Sequence, residues 1–228
     1  MDKSTIGFFA SFAAGCGLLL IVSCSRKPEM PPLSPADSTR IVQDNINHRV
    51  EVDAFFRDDS GSPFHRDSTI TYRGIKWYPI DPRYCGQSVL HRYEHPDTVL
   101  VRGTKGELRH ELRYGYFKFV VPDENGVPTP IRLNVYKFTP YDGQRYLLFK
   151  NNLNIWFTDR TTGKETYGVG RYVDLGNELP DESHVYSIDL NKAYNPYCAY
   201  SNFYSCPIPA KEDTLPLALR VGEMKYHD

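Results

Sequence analysis

The side-chain pattern between residues 107 and 121 constrains the fold of this chain more than any other feature. Apolar and aromatic residues alternate with polar ones along the whole segment, first on one parity and then on the other: Leu108, His110, Leu112, Tyr114 and Tyr116, then Phe117, Phe119 and Val121. Alternation with a period of two is typical of a β-strand with one buried face. The change of parity beside Gly115 predicts a β-bulge, so the segment is read as one long, bent strand.

Similar shorter runs recur along the rest of the chain and predict a mainly β fold. Residues 88–102 contain two extended pieces, and further candidate strands cover 131–135, 146–150, 155–158, 167–175, 185–190 and 215–221. Aromatic residues make up 14% of the chain, and 17 Pro and 16 Gly supply turns. Regularly spaced strands of this kind predict an antiparallel sandwich or a partly open barrel.

One helix is predicted before the strands. Ser34 and Pro35 form a typical helix start, and apolar residues then recur about every fourth position to near Phe56. We therefore expect a single β-rich domain over residues 37–228, with one N-terminal α-helix. No internal repeat divides it.

Residues 1–23 have the pattern of an export signal. Lys3 precedes an apolar run, and the sequence Ile21-Val22-Ser23-Cys24 resembles the lipobox of bacterial lipoproteins. The resemblance implies a signal peptide over 1–23, lipidation of Cys24 and attachment to a membrane of the bacterial cell envelope. Ser25 resembles the pattern that directs lipoproteins to the outer membrane. A signal cleaved without lipidation and a retained anchor helix are the alternatives.

Residues 24–36 are predicted to be a tether. Four prolines in this stretch favour extended polyproline geometry, which would hold the domain away from a lipid surface.

The charge balance argues against a nucleic-acid partner. The chain has 27 Lys and Arg against 28 Asp and Glu, a formal net charge of −1, whereas nucleic-acid binders carry a strongly basic surface. The expected partners are the membrane, through the lipid anchor, and an unidentified small ligand or envelope protein.

The cysteines predict one disulfide and no metal site. Cys198 and Cys206 bracket a short loop, so a Cys198–Cys206 disulfide is preferred in an oxidising compartment, and Cys85 is left as an unpaired thiol. His91 and His95 fit an H-x-x-E-H zinc pattern, but that pattern requires a helix, and this segment alternates like a strand. No cofactor-binding motif of the sequence lies in the predicted secondary structure that its function requires.

A concentration of polar and aromatic residues between 163 and 206 is the candidate binding region. The side chains proposed to line a polar, tyrosine-rich cleft are Glu165, Arg171, Tyr172, Asp174, Asp189, Asn191, Tyr194 and Asn195. The alternative is that they belong to hairpin turns and cross-strand tyrosine pairs with no ligand.

Several blocks of sequence resemble the DUF1684 family. They are Gly74 to Pro82, Gly168 to Asp174, Asp189 to Tyr200, Cys206-Pro-Ile-Pro and Val221-Gly-Glu223, within a resemblance that spans roughly residues 45–226. The family has no known function, so the resemblance implies a domain and not a reaction. The typical pattern has a double proline before the first Cys, where this chain has Pro196-Tyr197.

Three functions are compatible with these features. The first is a lipid-anchored envelope protein that binds a small ligand in the cleft. The second is an envelope hydrolase that uses Glu165, Asp174 or Asp189 as acid or base, with Arg171 orienting an anionic group. The third is a structural or assembly lipoprotein. Clustering of the carboxylates in one pocket would favour the hydrolase, and their dispersal would favour the other two.

Overall fold

The computed structural model describes residues 28–227. The predicted signal peptide, the lipidation site Cys24 and the first part of the tether lie outside these residues. Residues 28–34 have no regular secondary structure, and most of them are exposed. No helix within the described range is long and apolar enough to span a bilayer.

Helix α1 (Pro35–Asp58) opens the fold, as predicted. The hydroxyl oxygen of Ser34 accepts a hydrogen bond from the Asp37 amide at 3.0 Å. Pro35 occupies the first turn, where a backbone amide has no partner within the helix, so the missing amide proton of proline costs no hydrogen bond. The helix buries Ile41, Asn45 and Phe56 against the body of the domain. A short helix α2 (Pro63–Arg66) follows.

Seven strands form two antiparallel sheets, which confirms the predicted mainly β fold. Strands β1 (Cys85–Val89) and β7 (Val185–Asp189) pair with each other. The larger sheet has the order β2-β3-β4-β5-β6, and its strands are β2 (His91–Arg102), β3 (Leu108–Pro122), β4 (Pro128–Phe138), β5 (Asn152–Phe157) and β6 (Arg171–Asn177). The two sheets do not close into a barrel within residues 28–227.

The main hydrophobic core lies between one face of the large sheet and the β1–β7 pair. Phe117 of β3, Leu133 of β4, Ile155 of β5 and Ile188 of β7 all pack there with at most 1% of their surface exposed. The bulge predicted beside Gly115 is confirmed, because the pairing of β3 with β4 shifts between Arg113 and Gly115. The shift brings Phe117 and the alternate residues after it onto the core face.

Two of the predicted strands are wrong. The first, 146–150, belongs to helix α3 (Gly143–Phe149). Short apolar runs do not separate helix from strand by themselves, and here the Tyr146 amide donates to the Asp142 carbonyl oxygen at 2.8 Å to begin a helical turn.

The second, 215–221, forms no strand and contains bends at 216, 217 and 221. Its alternate residues are buried as predicted, while the Leu217 and Leu219 carbonyl oxygens accept bonds from the Arg160 amide and the Arg171 side chain. The alternation therefore predicted the buried positions of this segment correctly, although the segment belongs to no sheet.

Candidate functional site

The second face of the large sheet carries a cleft of about 1050 Å³. Side chains of a strand alternate between the two faces, so Arg171 and Val173 of β6 are buried on the core side, whereas Tyr172 and Asp174 line the cleft. Helix α1, helix α3 and the segment after β7 form its other walls. A concavity of this size is at the upper end of the range for small-molecule sites.

The lining of the cleft is mainly aromatic and aliphatic, with a few charged groups. Its principal side chains are His48, Glu51, Phe55, Arg109, Phe138, Arg145, Phe149, Trp156, Tyr172, Asp174, Lys192, Tyr194, Tyr197, Tyr204, Cys206 and Glu223. Such a composition suits a ligand with an apolar body and a small number of polar atoms.

Two of the predicted tyrosines, Tyr172 and Tyr194, meet in this wall. Their backbones exchange two hydrogen bonds, of 2.9 and 3.0 Å, although they are 22 positions apart in the sequence. Their rings lie 6.0 Å apart, and the Tyr172 ring lies 5.9 Å from that of Trp156, which stacks on Tyr136 at 4.4 Å. The Tyr172 hydroxyl donates to the Pro207 carbonyl oxygen at 2.5 Å. This wall is therefore fixed by stacking and main-chain bonds.

Arg171 lies outside the cleft, contrary to the sequence prediction. Its guanidinium forms an ion pair with Asp159 at 2.8 Å, and both side chains are 1% exposed. It also donates to the carbonyl oxygens of Leu219 and Val221. Arg171 therefore holds the C-terminal segment to β6, and it cannot orient a ligand in the cleft.

Glu165 and Asp189 are likewise placed away from Asp174. Glu165 forms a bidentate ion pair with Arg220, with both bonds at 2.8 Å, on the surface. Asp189 ends β7, where one carboxylate oxygen accepts from the Asn191 amide at 2.9 Å and the other from the Asn45 side chain at 2.6 Å. The three carboxylates proposed for the hydrolase are thus dispersed.

Asn191 and Asn195 are buried and hold neighbouring segments in place. Asn191 accepts from the Asp81 amide and donates to the Asp81 carbonyl oxygen, at 2.8 and 2.9 Å. The Asn195 side chain donates to the Met224 carbonyl oxygen at 2.8 Å. Of the eight predicted residues, only Tyr172, Asp174 and Tyr194 line the cleft.

The predicted Cys198–Cys206 disulfide is absent. Cys85, Cys198 and Cys206 are free thiols, and the Cys206 sulfur instead accepts a hydrogen bond from the Cys198 amide at 3.4 Å. Hydrogen bonds with the Cys206 thiol and with the Tyr167 hydroxyl, 3.7 Å from the Cys198 sulfur, outweigh the effect of burial and together lower the pKa of Cys198 to about 7. The short spacing in the sequence thus correctly indicated that the two cysteines are neighbours, but they are joined by a hydrogen bond and not by a disulfide.

Two buried carboxyl groups near the cleft were not predicted. Glu223 lines it and accepts from the Asn195 amide at 2.8 Å and the Tyr200 hydroxyl at 2.6 Å; burial raises its pKa to about 7. Glu111 lies on β3, two residues from the lining residue Arg109 and paired with the lining residue Phe138, and burial raises its pKa to about 7 as well. The only sequence feature that pointed to Glu223 was the resemblance of the block Val221-Gly222-Glu223 to the DUF1684 family. No sequence feature pointed to Glu111.

The backbone at Gly222 explains how Glu223 reaches the cleft. Gly222 has a φ of 76°, and a Cβ atom there would lie 2.5 Å from the Ala193 carbonyl oxygen. Only glycine tolerates both conditions. The Glu223 amide then donates to the same carbonyl oxygen at 2.8 Å, which ties the C-terminal segment to the block that carries Tyr194.

No arrangement of three or more His, Cys, Asp or Glu side chains within residues 28–227 is suited to a metal ion. His91 and His95 both lie on strand β2, in agreement with the alternation of that segment.

These features define a mainly β protein with two packed antiparallel sheets and a large aromatic-lined cleft on the outer face of one of them. The sequence model of a protein family of unknown function, DUF1684, matches residues 70–224. The chain belongs to this family.

The solved structures with a similar fold include the solution NMR structure of the uncharacterized protein from gene locus rrnAC0354 of Haloarcula marismortui, with a TM-score of 0.53 and 27% sequence identity. The alignment covers 80% of this chain and 92% of that one. No curated protein matches the sequence.

Proposed function

We propose that this protein binds a small ligand with an apolar body in the cleft on the large sheet. The observation that carries the proposal is the cleft itself: about 1050 Å³, with Tyr172, Tyr194 and Trp156 held as a rigid aromatic wall. Aromatic side chains fixed by packing bind apolar surface without losing further conformational freedom. The dispersal of Glu165, Asp174 and Asp189 favours binding over hydrolysis by those carboxylates.

The neutral fluorescent probe N-phenyl-1-naphthylamine tests this proposal. Asp174 is exposed on the cleft face of β6, and its carboxylate accepts a hydrogen bond from the Gly176 amide at 2.7 Å. Asp174→Trp should narrow the cleft and weaken probe binding by at least about tenfold. Gln87→Trp, at an exposed position of β1 on the other sheet, is the matched control and should bind like the parent. Unchanged binding by Asp174→Trp would contradict the proposed site.

The lipid anchor at Cys24 and the location in the bacterial envelope, at the outer membrane, are part of the same proposal. The exposed, irregular residues 28–34 support it, because a polypeptide of this kind suits a tether. Mass spectrometry of the protein purified from membranes should detect acyl chains that are lost in Cys24→Ala. Identical masses, apart from the substitution, would disprove lipidation.

A hydrolase is a second candidate, and one observation favours it. The Glu223 carboxyl lines the cleft with a pKa of about 7, which suits an acid or base near neutral pH. Hydrolysis of p-nitrophenyl esters that is lost in Glu223→Gln, with probe binding retained, would support the hydrolase. No turnover by the parent would exclude it for esters.

A further inference from the structure

Cys198 and Cys206 form a hydrogen-bonded pair of thiols that the proposed binding function does not use. The Cys206 thiol donates a hydrogen bond to the Cys198 sulfur, and the Cys198 amide donates to the Cys206 sulfur at 3.4 Å. Because this amide nitrogen is bonded to the Cα atom of Cys198, the Cys206 sulfur lies within about 5 Å of that Cα atom. A disulfide would therefore shorten a contact that the fold already makes.

Hydrogen bonds to other segments hold the backbone of each cysteine. The Thr104 amide, in the loop after β2, donates to the Cys206 carbonyl oxygen at 3.0 Å, and the Thr104 hydroxyl accepts from the Cys206 amide at 3.2 Å. The Tyr167 hydroxyl lies 3.1 Å from the Cys198 carbonyl oxygen. The proximity of the two thiols is thus built into the tertiary structure.

The two thiols differ in how readily they ionise. The Cys198 sulfur accepts from the Cys206 thiol and from the Tyr167 hydroxyl, which lies 3.7 Å away, and Thr104 adds a further hydrogen bond. These bonds outweigh burial and lower the pKa of Cys198 to about 7, whereas the bond to Cys198 and burial raise the pKa of Cys206. Since the thiolate is the nucleophile, Cys198 is the attacking thiol of the pair.

Cys198 also lines a second cavity, of about 570 Å³, which shares no lining residue with the cleft. Its walls include Ile70 and Phe203, and no Lys or Arg lines it within the described residues. Asp67 lines it as well; a hydrogen bond of 2.5 Å from the Ser201 hydroxyl holds the pKa of this carboxyl below its usual value, so it is ionised. An ionised acid without a balancing cation disfavours an anionic substrate and leaves small neutral molecules.

We propose that Cys198 and Cys206 are a redox-active dithiol that reduces small neutral hydroperoxides, which reach Cys198 through the second cavity. The Cys198 thiolate attacks the terminal oxygen of the hydroperoxide: an S–O bond forms, the O–O bond breaks, and the alkoxide takes a proton from solvent and leaves as an alcohol. The Cys206 sulfur then attacks the sulfenic acid of Cys198: an S–S bond forms, the S–O bond breaks, and hydroxide leaves with the Cys206 proton as water. The two thiols lose two electrons, and the hydroperoxide gains them.

Peptide mass spectrometry without reduction tests the inference. The full-length protein is reduced, freed of reductant and treated with one equivalent of tert-butyl hydroperoxide at pH 7. The peptides that carry Cys198 and Cys206 should become linked with the loss of two hydrogen atoms, and dithiothreitol should separate them again. Cys85 should keep its thiol, because burial raises the pKa of Cys85. Unlinked peptides, or a linkage that involves Cys85 instead, would overturn the proposal.

Three serine variants assign the roles of the thiols. Cys198→Ser should consume the hydroperoxide at least about tenfold more slowly than the parent, because it lacks the attacking thiolate. Cys206→Ser should still react but stop at the sulfenic acid of Cys198, which dimedone traps. Cys85→Ser is the matched control and should behave like the parent. Undiminished consumption by Cys198→Ser, or no dimedone adduct on Cys206→Ser, would refute the assigned roles.

Tyr167→Phe tests the contact that activates Cys198 and keeps the aromatic ring. Loss of the hydroxyl should slow the reaction about fivefold at pH 7 and much less at pH 9.5, where the thiolate forms without this hydrogen bond. The neighbouring phenols of Tyr172 and Tyr194 stay neutral over this range because burial raises their pKa values, and Arg109 stays charged. An equal loss at both pH values would indicate a purely structural role for Tyr167 and contradict its positioning of the thiolate.

These measurements are independent of the proposed binding function. Hydroperoxide reduction without binding of N-phenyl-1-naphthylamine would support the dithiol and refute the ligand site. Probe binding that is blocked by Asp174→Trp, without hydroperoxide reduction, would do the reverse.

Discussion

The Glu111 carboxyl gives the sharpest test of the structure. Its side chain is 1% exposed, and its Oε2 atom has no hydrogen-bond partner within residues 28–227. Burial raises its pKa from 4.5 to about 7, with Asp142 adding to the rise and Arg109 and Arg145 opposing it. The folded protein therefore holds this proton at pH values where the unfolded chain has released it, and stability falls as the pH rises from about 4.5 to 7.

The expected loss of stability follows from the size of the shift in the pKa of Glu111. Each tenfold change in an acid constant is worth about 1.4 kcal/mol, so the move from 4.5 to about 7 amounts to roughly 3 kcal/mol above pH 7. Between pH 5 and pH 8, Glu111 should lower the free energy of unfolding by roughly 2–3 kcal/mol. Glutamine has nearly the same shape and does not ionise, so Glu111→Gln should remove this loss.

Urea unfolding at pH 5, 6, 7 and 8 measures the effect. Glu111→Gln should gain stability relative to the parent as the pH rises, because only the parent ionises a buried carboxyl at this position. Glu223 titrates in the same direction but is present in both proteins, so it cancels from the difference. Glu94→Gln, at a 92% exposed side chain, is the control and should follow the parent at every pH. Parallel curves for the parent and Glu111→Gln would refute the reasoning.

Three further predictions concern reactivity and stability. Iodoacetamide at pH 7 should alkylate Cys198 faster than Cys85, because hydrogen bonding lowers the pKa of Cys198 to about 7 whereas burial raises the pKa of Cys85. Peptide mass spectrometry measures both alkylation rates, and equal rates would contradict this order. Gly222→Ala should destabilise by about 2 kcal/mol more than Gly126→Ala in urea unfolding, since both glycines have positive φ but only Gly222 has a backbone oxygen 2.5 Å from the added Cβ. Arg171→Met should cost about 3–5 kcal/mol by leaving its carboxylate partner buried and unpaired, and a loss below about 1 kcal/mol would argue against the buried ion pair.

The fate of the predicted cleft residues shows how far local sequence reasoning reaches. Tyr172 and Asp174 both line the cleft, since residues two apart on a strand share a face. The same rule separates Arg171 from Tyr172, because adjacent residues point to opposite faces. Grouping by composition predicted that Arg171, Tyr172 and Asp174 line one cleft. The buried ion pair of Arg171 with Asp159 shows that Arg171 does not.

The chain by itself determined its local conformations: the start of α1 at Ser34, the long strand with its bulge beside Gly115, and the burial of alternate residues. These follow from backbone sterics and side-chain periodicity, which act over a few residues. The tertiary structure alone decided that Trp156, Tyr172 and Tyr194 form one wall of a cleft, that Glu111 is buried, and that two cysteines eight positions apart are not bonded. Such relations depend on contacts between segments far apart in sequence, and periodicity carries no information about which segments meet.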